Sequence, residues 1–319
     1  MSEQMGGWKG EGYDLSPEEN RIITERWERA AAARDRMDGM MKDIQQETAR
    51  SHGGKLEGLE YSLKDLNSFR RKAAGAIDAG DSPEVAAKEV KDLNRYTLTF
   101  EPDAYTKGVE RTYERLREAG YEPIPGSEKN TWQDPVYKGI NTSWQHGQSE
   151  EKFELQFHTP DSFTAKMENH ELYEISRGKE LDELAEGNDD LAQSYLDAAN
   201  QLQNDRYKNV KIPPGQERIG QQLIRDKLKP DVPQEHVELI RQKEAEKRAE
   251  NEAKALAKAE AKKQAEQAAL QLDGPTQAEA QGLRNKLATK AAVQQARQNA
   301  AAPRVEPFPA QSRGRGPSL

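Results

Sequence analysis

Two acidic residues stand in or beside segments that have the pattern of β-strands. Asp92 comes just before a segment in which apolar and polar residues alternate, and Glu154 stands between Phe153 and Leu155. Carboxylates on adjacent strands that face one polar surface suit a magnesium ion, which prefers carboxylate oxygen and bridging phosphates to a closed protein cage. Acidic residues on exposed strand faces are also ordinary. We therefore predict a magnesium site at Asp92 and Glu154 if their two strands are neighbours.

A basic cluster lies upstream on one predicted helical segment and consists of Lys64, Arg70, Arg71 and Lys72. Two or three of these side chains are enough to neutralise a triphosphate through charge-assisted hydrogen bonds. Taken alone, the cluster is typical of a solvated helix face. Its place ahead of the two carboxylates favours the phosphate interpretation.

Other kinds of chemistry are excluded or weakly indicated. The chain has no cysteine, so disulfides, thiolate metal sites and cysteine nucleophiles are excluded. His158 and His170 lack the carboxylate and the spacing that accompany histidine in a zinc site, so we expect them to support a site rather than to bind zinc. Tyr137 by itself is typical of core or turn packing.

The elements that must position these residues alternate between helix and strand. Ser16, Pro17 and Glu19 have the pattern of a capped helix start, and apolar residues recur at helical spacing to about residue 48. A second helical segment is predicted over residues 59–79. A strand follows at residues 95–100, and a further helix at residues 105–120.

A hairpin is predicted from strands at residues 139–145 and 152–158. Because side chains alternate along a strand, Phe153, Leu155 and Phe157 face the core, and Glu154, Gln156 and His158 share the opposite, polar face. A helix over residues 162–177 completes the pattern. We predict an α+β fold with a mixed sheet flanked by helices, preceded by an N-terminal helix.

The two ends of the chain have little apolar patterning. Only 34% of the residues are hydrophobic, 33% are charged and the mean hydropathy is -1.06, which favours one core and unpacked flanks. We predict a disordered N-terminus over residues 1–15 and a folded domain with an N-terminal helix over 16–187. A connector over 188–234, a solvated helix rich in Ala, Glu and Lys over 235–272 and a mostly disordered basic tail over 273–319 follow. From Arg284 onward the tail has seven basic residues and one acidic residue.

The totals also limit the partners and the location. A net charge of -8 argues against broad nucleic-acid binding by the whole chain. No run approaches the roughly 18 apolar residues that span a bilayer, and the N-terminus lacks the pattern of a signal peptide. We expect a soluble, cytoplasmic protein without a membrane partner.

Three runs together resemble the synthetase domain of the RelA/SpoT family of nucleotide pyrophosphokinases, in order and spacing. They are residues 91–96 (KDLNRY), 137–141 (YKGIN) and 153–159 (FELQFHT), with His170 beyond and the basic segment 62–72 ahead. The similarity covers roughly 120 residues of the chain. It implies a nucleotidyltransferase-like fold and transfer of pyrophosphate from ATP to the 3'-hydroxyl of a nucleotide. Small alarmone synthetases and toxic synthetases are the types it resembles.

The resemblance also implies roles for individual residues. Asp92 and Glu154 would hold Mg2+, Glu154 would help to deprotonate the acceptor hydroxyl, and Gln156 would assist at the catalytic centre. The implied contacts to the ATP phosphates are Lys64, Ser68, Arg71, Lys72, Arg95 and Lys129. The implied acceptor contacts are Tyr137, which would stack on the base, together with Asn141, His158 and His170.

Some positions depart from the family pattern. Ser62 stands where the family usually has an arginine, which removes a bidentate phosphate contact. Asn141 and His158 stand where histidine and arginine are frequent. No His-Asp dipeptide occurs, so we expect no hydrolase domain of the family's type.

The acceptor and the partners stay open at this point. The leading hypothesis is a guanosine tetra- or pentaphosphate synthetase that uses GDP or GTP, or an ADP-like equivalent. The first alternative is a toxin-type enzyme that modifies the 3' end of tRNA, for which the basic tail would have an electrostatic use. The second is a degenerate nucleotide-binding or interaction protein. An antitoxin or other protein partner would bind the helical extensions.

Overall fold

The structure is a computed structural model that describes residues 6–10, 12–149, 151–177, 180–224 and 228–271. Its strands are β1 (Trp8–Gly10), β2 (Tyr13–Leu15), β3 (Lys55–Glu57), β4 (Asn94–Thr99), β5 (Tyr121–Pro123), β6 (Lys129–Asn130), β7 (Ile140–His146), β8 (Lys152–His158) and β9 (Gln221–Gln222). Its α-helices are α1 (Pro17–His52), α2 (Leu66–Asp78), α3 (Pro83–Glu89), α4 (Tyr105–Glu118), α5 (Pro160–Glu168), α6 (His170–Arg177), α7 (Glu180–Leu184), α8 (Asp189–Tyr207) and α9 (Gln234–Gln271). The predicted α+β class, with a mixed sheet flanked by helices, is confirmed.

The sheet is built around two central strands that run parallel. Its strand order is β3-β4-β8-β7-β6-β9, and β5 also pairs with β7. β4 and β8 are parallel, whereas β7 and β8 form the predicted antiparallel hairpin. The apolar side chains of β4 and β8 share one core with side chains from α1 and α4. The opposite face of the same two strands is therefore left for polar residues.

Helix α1 begins as predicted. The backbone N–H of Glu19 donates to Ser16 Oγ at 3.3 Å, and the backbone N–H of Ser16 donates to a carboxylate oxygen of Glu19 at 2.7 Å. This reciprocal pair satisfies two amides that have no partner within the helix. The helix continues to His52 and ends at Gly53, whose φ of 71° is a left-handed conformation that glycine adopts easily.

Loss of this helix cap should lower the stability of the protein. We expect Ser16→Ala to lower the free energy of unfolding by about 1 kcal/mol, the usual cost of an N-cap hydroxyl. The measurement is chemical denaturation followed by circular dichroism. Ser51→Ala, near the other end of the same helix and exposed, is the control and should change stability by less than about 0.5 kcal/mol. Equal effects of the two substitutions would contradict the prediction.

Phe100, the residue after β4, is enclosed by two glycines. A Cβ atom on Gly54 would lie 2.7 Å from Cε1 of the Phe100 ring, and a Cβ atom on Gly108 would lie closer still to the same ring. The backbone N–H of Phe100 donates to the carbonyl oxygen of His158 at 3.0 Å. The turn after α1 and helix α4 thus pack directly against the residue that follows β4.

The N-terminal prediction needs correction. Residues 1–15 are predicted to be disordered, but β1 and β2 form an antiparallel pair in which Trp8 lies opposite Leu15. Leu15 is buried, and Trp8 and Tyr13 pack against the same apolar cluster as α2 and α3. Residues 1–5 lie outside the described residues. Strands of three residues with glycine between them leave little periodicity to detect.

Two predicted helices are divided. Residues 59–79 contain a short 3-10 helix at Leu59–Tyr61, and α2 begins later because Asp65 caps it by accepting from the N–H of Ser68 at 2.8 Å. Residues 162–177 form α5 and α6, which are separated at Asn169. The first division sends the chain past β4, where the N–H of Lys64 donates to the carbonyl oxygen of Leu93.

The C-terminal predictions are wrong in part. The predicted connector at 188–234 contains α8, whose Tyr195, Ala198 and Leu202 are buried in a third apolar cluster with residues from α6, α7 and α9. The first turns of α9 pack there as well, through Val237 and Ile240, whereas the described side chains beyond Lys247 are mostly exposed, as a solvated helix predicts. The predicted tail at 273–319 lies outside the described residues. None of the described helices is long and apolar enough to cross a bilayer.

Candidate active site

The two strands that carry the candidate carboxylates are neighbours. In the parallel register of β4 and β8, Arg95 lies opposite Glu154 and Thr97 lies opposite Gln156. On the other side of β8, Asn141 of β7 pairs with Gln156. The condition that the sequence set for a joint site at Asp92 and Glu154 is thus met by the sheet.

The alternation along β8 separates its faces as predicted. Phe153, Leu155 and Phe157 are fully buried in the central core. Glu154 and Gln156 line a cleft on the opposite face, together with Arg95 and Thr97 of β4. The pattern of every second residue therefore placed Glu154 and Gln156 correctly, whereas His158 does not line the cleft.

This cleft has a volume of about 690 Å³, within the range of small-molecule sites. One wall comes from β4, β8 and β7, and a second comes from the start of α2. The remaining walls come from α5, α6 and α8, of which α8 lies beyond the region that resembles the RelA/SpoT family. The cleft lies between the polar face of the sheet and the helical cluster.

Asp92, two residues before β4, stands between two lysines. Lys64 Nζ donates to one carboxylate oxygen at 2.7 Å, and Lys72 Nζ donates to the other at 3.0 Å. Burial opposes ionisation of Asp92, but the two ammonium groups outweigh it and hold the pKa of Asp92 well below its usual range. Burial lowers the pKa of Lys64 despite this partner. Asp92 is thus a firmly ionised carboxylate at neutral pH.

Glu154 has the opposite character. Burial, together with the nearby charge of Asp92, raises the pKa of Glu154, although Lys166, Arg95 and Lys64 partly offset this effect. Its Oε2 accepts a hydrogen bond from Gln156 Nε2 at 2.8 Å. Two neighbouring carboxylates with pKa values moved apart are the usual basis for different acid and base roles in one site.

Lys166 of α5 belongs to the site although the sequence did not indicate it. Its Nζ donates to Gln156 Oε1, and it lines the cleft. Burial lowers the pKa of Lys166 to about 8, and the charge of Glu154 only partly opposes this shift. A lysine on an amphipathic helix carries no local signal, so only the packing of α5 beside β8 could reveal it.

The predicted phosphate ligands are divided between the cleft, its rim and other surfaces. Ser68, Arg71 and Arg95 line the cleft with Lys64, and Lys72 reaches it through Asp92. Arg70 of the basic cluster turns away and donates to Thr24 Oγ1 of α1 at 3.1 Å. Lys129 pairs with Asn141 in the sheet, but its exposed side chain is not among those that line the cleft.

The predicted acceptor ligands do not all reach the cleft. Tyr137 and Asn141 line it, and the Tyr137 hydroxyl donates to Asn141 Oδ1 at 2.8 Å. His158 is fully buried behind them, with Nε2 3.0 Å from the Tyr137 hydroxyl and Nδ1 2.7 Å from Ser162 Oγ. Burial holds the pKa of His158 well below its ordinary value. His158 therefore positions Tyr137 as a neutral side chain instead of contacting a ligand.

Ser62 also lies away from the cleft. Its side chain is fully buried, and Ser62 Oγ accepts a hydrogen bond from Arg34 Nε of α1 at 2.9 Å. Arg34 also lies 3.5 Å from Asp38. Position 62 thus joins α1 to the chain before β4, and the cations of the cleft come from other positions.

The oxygen ligands suit a metal that arrives with phosphates. The described residues include no group of three or more His, Cys, Asp or Glu side chains able to hold a metal ion by themselves. Asp92 and Glu154 supply two carboxylates, the donor type and number with which Mg2+ is commonly held when substrate phosphates complete its shell. The donor set therefore fits Mg2+ as a co-ligand of a nucleotide and not as a permanently caged ion.

Comparison with known proteins gives little beyond this geometry. No family model matches the chain, and no curated protein matches it. Among solved structures, the crystal structure of smu.1046c from Streptococcus mutans UA159 is similar over 57% of this chain and 91% of that chain, with 11% sequence identity and a TM-score of 0.36. The functional assignment of this protein therefore depends on the residues of the cleft themselves.

Proposed function

We propose that this protein is a Mg2+-dependent transferase that moves pyrophosphate from ATP to the 3'-hydroxyl of a nucleotide. The observation that carries the proposal is the placement of Glu154, a carboxylate with a raised pKa, in a cleft beside the ionised Asp92 and several cations. The RelA/SpoT resemblance of the same residues supports it. A nucleotidyltransferase-like fold is part of the proposal, and the adjacent parallel strands β4 and β8 support that part.

Glu154 is the proposed general base. The acceptor's 3'-oxygen attacks the β-phosphorus of ATP, the bond from that phosphorus to the α,β-bridging oxygen breaks, and AMP leaves. Glu154 takes the proton of the hydroxyl. A carboxyl group whose pKa is raised toward the working pH is a better proton acceptor than an ordinary one. Gln156 holds the carboxylate in place through its amide.

The cations of the cleft are the proposed ligands of the triphosphate. Lys64, Arg71, Arg95 and Lys166 line the same cleft. Their charges would offset those of the phosphates and align ATP, which is most of what a protein contributes to phosphoryl transfer. Bound Mg2+, held by Asp92 and Glu154, would supply further neutralisation of charge on the phosphate oxygens.

ATP binding should weaken as the pH rises past 8. Because burial lowers the pKa of Lys166 to about 8, its ammonium loses a proton there and its attraction for phosphate is lost. Between pH 7 and pH 9 we expect the dissociation constant of ATP to rise several-fold. This is roughly the effect of losing one charged hydrogen bond to phosphate. Isothermal titration calorimetry at three pH values measures this change.

Lys166→Arg tests the origin of that pH dependence, since a guanidinium stays charged throughout this range. The variant should show an affinity for ATP that changes little from pH 7 to 9. Lys152→Arg, on the same strand as Glu154 but outside the walls of the cleft, should keep the wild-type dependence. A wild-type affinity that is already independent of pH would contradict the role of Lys166.

The transfer reaction itself is tested with ATP labelled at the γ-phosphate. Purified protein and Mg2+ are offered GDP, GTP, ADP or tRNA separately, and labelled products and AMP are counted. We expect label in an acceptor with one AMP released for each transfer, and no label with Glu154→Gln. Absence of label from every acceptor would refute the proposal, and release of ADP in place of AMP would indicate a kinase. Label in tRNA alone would remove the alarmone version.

A second candidate function is nucleotide binding without transfer. It is favoured by Ser62, which stands where the family arginine would supply a bidentate contact and instead bonds to Arg34. The labelled-ATP experiment decides between the candidates, because this one predicts saturable ATP binding with no AMP. Binding of an antitoxin or other protein through α8 and α9 stays a prediction.

A further inference from the structure

One face of α8 forms part of the cleft although this helix lies beyond the region of resemblance. Leu196, Asn200, Gln203 and Tyr207 recur at intervals of four, three and four residues, so they form one row along the helix. All four line the cleft. The neighbouring row, with Ala198, Ala199 and Leu202, packs into the helical cluster instead.

The two amides in this row are largely buried and line the cleft. Asn200 is 6% exposed and Gln203 is 5% exposed. Among the described residues, neither side-chain amide takes part in a hydrogen bond, whereas polar groups that are mostly buried in folded proteins are nearly always bonded. Each amide carries donor N–H groups and one acceptor oxygen. The cleft wall therefore offers unused donors and acceptors that a ligand can satisfy.

The row is held in place at the junction of α5 and α6. Asn169, between α5 and α6, donates from Nδ2 to the backbone oxygen of Gln203 at 3.2 Å. Arg206 donates to Asn169 Oδ1 at 2.8 Å and to the backbone oxygen of Glu168 at 2.7 Å. These bonds fix α8 against the α5–α6 junction. His170, the next residue, also lines the cleft, and its Nδ1 is buried without a hydrogen-bond partner among the described residues.

The chemistry of these groups suits a planar heterocycle. Two neutral amides present donors and acceptors without net charge, and the imidazole of His170 adds a further polar ring, which matches the edge of a nucleobase and not a phosphate. Tyr137 adds an aromatic ring to the same cleft, 6.3 Å from the ring of Tyr207 at an angle of 71°. The phosphate-binding cations lie on other elements, namely β4, α5, the start of α2 and the residues before it.

We propose that Asn200 and Gln203, with His170, form a base-recognition subsite that reads the polar edge of the acceptor's nucleobase. The proposal rests on the proposed function in naming the acceptor as the ligand. It assigns substrate selection to α8, while Glu154 and the cations act on the phosphates. Nucleotides that differ only in the base are thus distinguished by α8.

The test measures binding without turnover. Dissociation constants are determined for AMP, GMP, CMP and UMP, and for ribose 5-phosphate as a ligand with the same number of phosphates and no base. At least one nucleoside monophosphate should bind about tenfold more tightly than ribose 5-phosphate. Asn200→Ala and Gln203→Ala should each weaken that ligand by about threefold to tenfold and leave ribose 5-phosphate unchanged. A short oligoribonucleotide that ends in the preferred base is tested as well, so that an RNA terminus can be distinguished from a free nucleotide as the ligand. Weaker binding of the oligoribonucleotide or of the free nucleotide in the variants supports the subsite.

Gln193→Ala is the matched control, since Gln193 is an exposed amide of α8 that bonds to Asp197 outside the cleft. It should bind every ligand as the wild type does. Asn200→Ala and Gln203→Ala remove no side-chain hydrogen bond among the residues that the structure describes, so their melting temperatures should not fall far. Gln203→Glu adds a variant of equal size with altered donors. Unchanged affinities in all the cleft variants, or nucleoside monophosphates that bind no more tightly than ribose 5-phosphate, would overturn the inference.

The two proposals fail in different ways. If transfer occurs but the acceptor's KM is unchanged in Asn200→Ala and Gln203→Ala, the subsite is wrong and the proposed function stands. If no transfer occurs while base-dependent binding is lost in the variants, the subsite stands and the proposed function is wrong.

Discussion

Replacement of Glu154 with glutamine is expected to abolish pyrophosphate transfer and, at the same time, to stabilise the protein at neutral pH. The loss of a general base typically lowers a rate by about 10²- to 10⁴-fold. The gain in stability has a separate cause. Burial and the charge of Asp92 raise the pKa of Glu154, so its ionised form is less stable in the folded protein than in the unfolded chain.

The sign of this effect sets its pH dependence. A carboxyl group with a raised pKa binds its proton more tightly in the folded state, so stability falls as the pH rises through the unfolded and then the folded pKa. Glutamine carries no such penalty. The variant should therefore melt at a higher temperature than the wild type at pH 7, and the difference should vanish below the ordinary carboxyl pKa of 4.5.

Scanning calorimetry at pH 4 and pH 7, together with the labelled-ATP assay, measures both effects. Glu122→Gln on the exposed part of β5 is the control and should change neither activity nor melting temperature appreciably. A Glu154→Gln variant that is less stable than the wild type at pH 7 would show that the carboxylate stabilises the fold. Retained transfer would show that another group accepts the proton.

Asp92→Asn should reduce activity and stability together, in contrast to Glu154→Gln. The substitution leaves Lys64 and Lys72 without the carboxylate that they share at 2.7 and 3.0 Å. The side chains of Lys64 and Asp92 are only 12% and 22% exposed. We expect a loss of about 1–3 kcal/mol, somewhat below the cost of breaking a fully buried pair. Transfer should fall by at least about 10²-fold, as when a site loses a major electrostatic contact.

The contribution of Asp92 to stability depends on pH in the opposite sense to that of Glu154. Because the pKa of Asp92 is lowered in the folded protein, its contribution is present above the ordinary pKa of 3.8 and is lost as the pH falls toward the folded pKa. The difference in the free energy of unfolding between the wild type and Asp92→Asn should thus become smaller only below about pH 4. Denaturant titrations at several pH values measure it.

Two further variants identify the source of the Asp92 effect. Adding Lys64→Met to Asp92→Asn removes the stranded ammonium and should recover part of the lost stability. Asp81→Asn, in the exposed turn before α3, should have no effect of comparable size. A wild-type melting temperature for Asp92→Asn alone would show that the ion pairs contribute nothing.

Local pattern was sufficient for the sheet face that carries the chemistry. The alternation from Phe153 to Phe157 determines which side chains enter the core, since one face of a strand must be buried. It could not determine which strand lies beside β8. The parallel partner β4 is about sixty residues away in the chain, and Glu154 meets Arg95 only through that pairing.

Three features of the site escaped detection for different physical reasons. Lys166 has an ordinary helical context, and its perturbed pKa arises from tertiary burial alone. His158 keeps the alternation of β8, but it is covered by Tyr137 and Ser162 and does not reach the cleft. Helix α8 buries two alanines and two amides beside Leu202 and two tyrosines, which gives a weak apolar stripe, so it resembled a connector.

The close packing of Phe100 against Gly54 and Gly108 links sequence variation in the core to the position of β4, a strand that lines the cleft. Phe100 directly follows the strand that carries Arg95, so a residue that displaced its ring would press on the end of β4. A Cβ atom at Gly108 has only Phe100 ring atoms as its three nearest neighbours, whereas one at Gly54 would also lie 2.6 Å from Thr48 Oγ1. During divergence positions 100 and 108 should consequently vary together, and a homologue with alanine at position 108 should carry a smaller residue in place of the phenylalanine. Alanine at position 54 should require a change at position 48 as well.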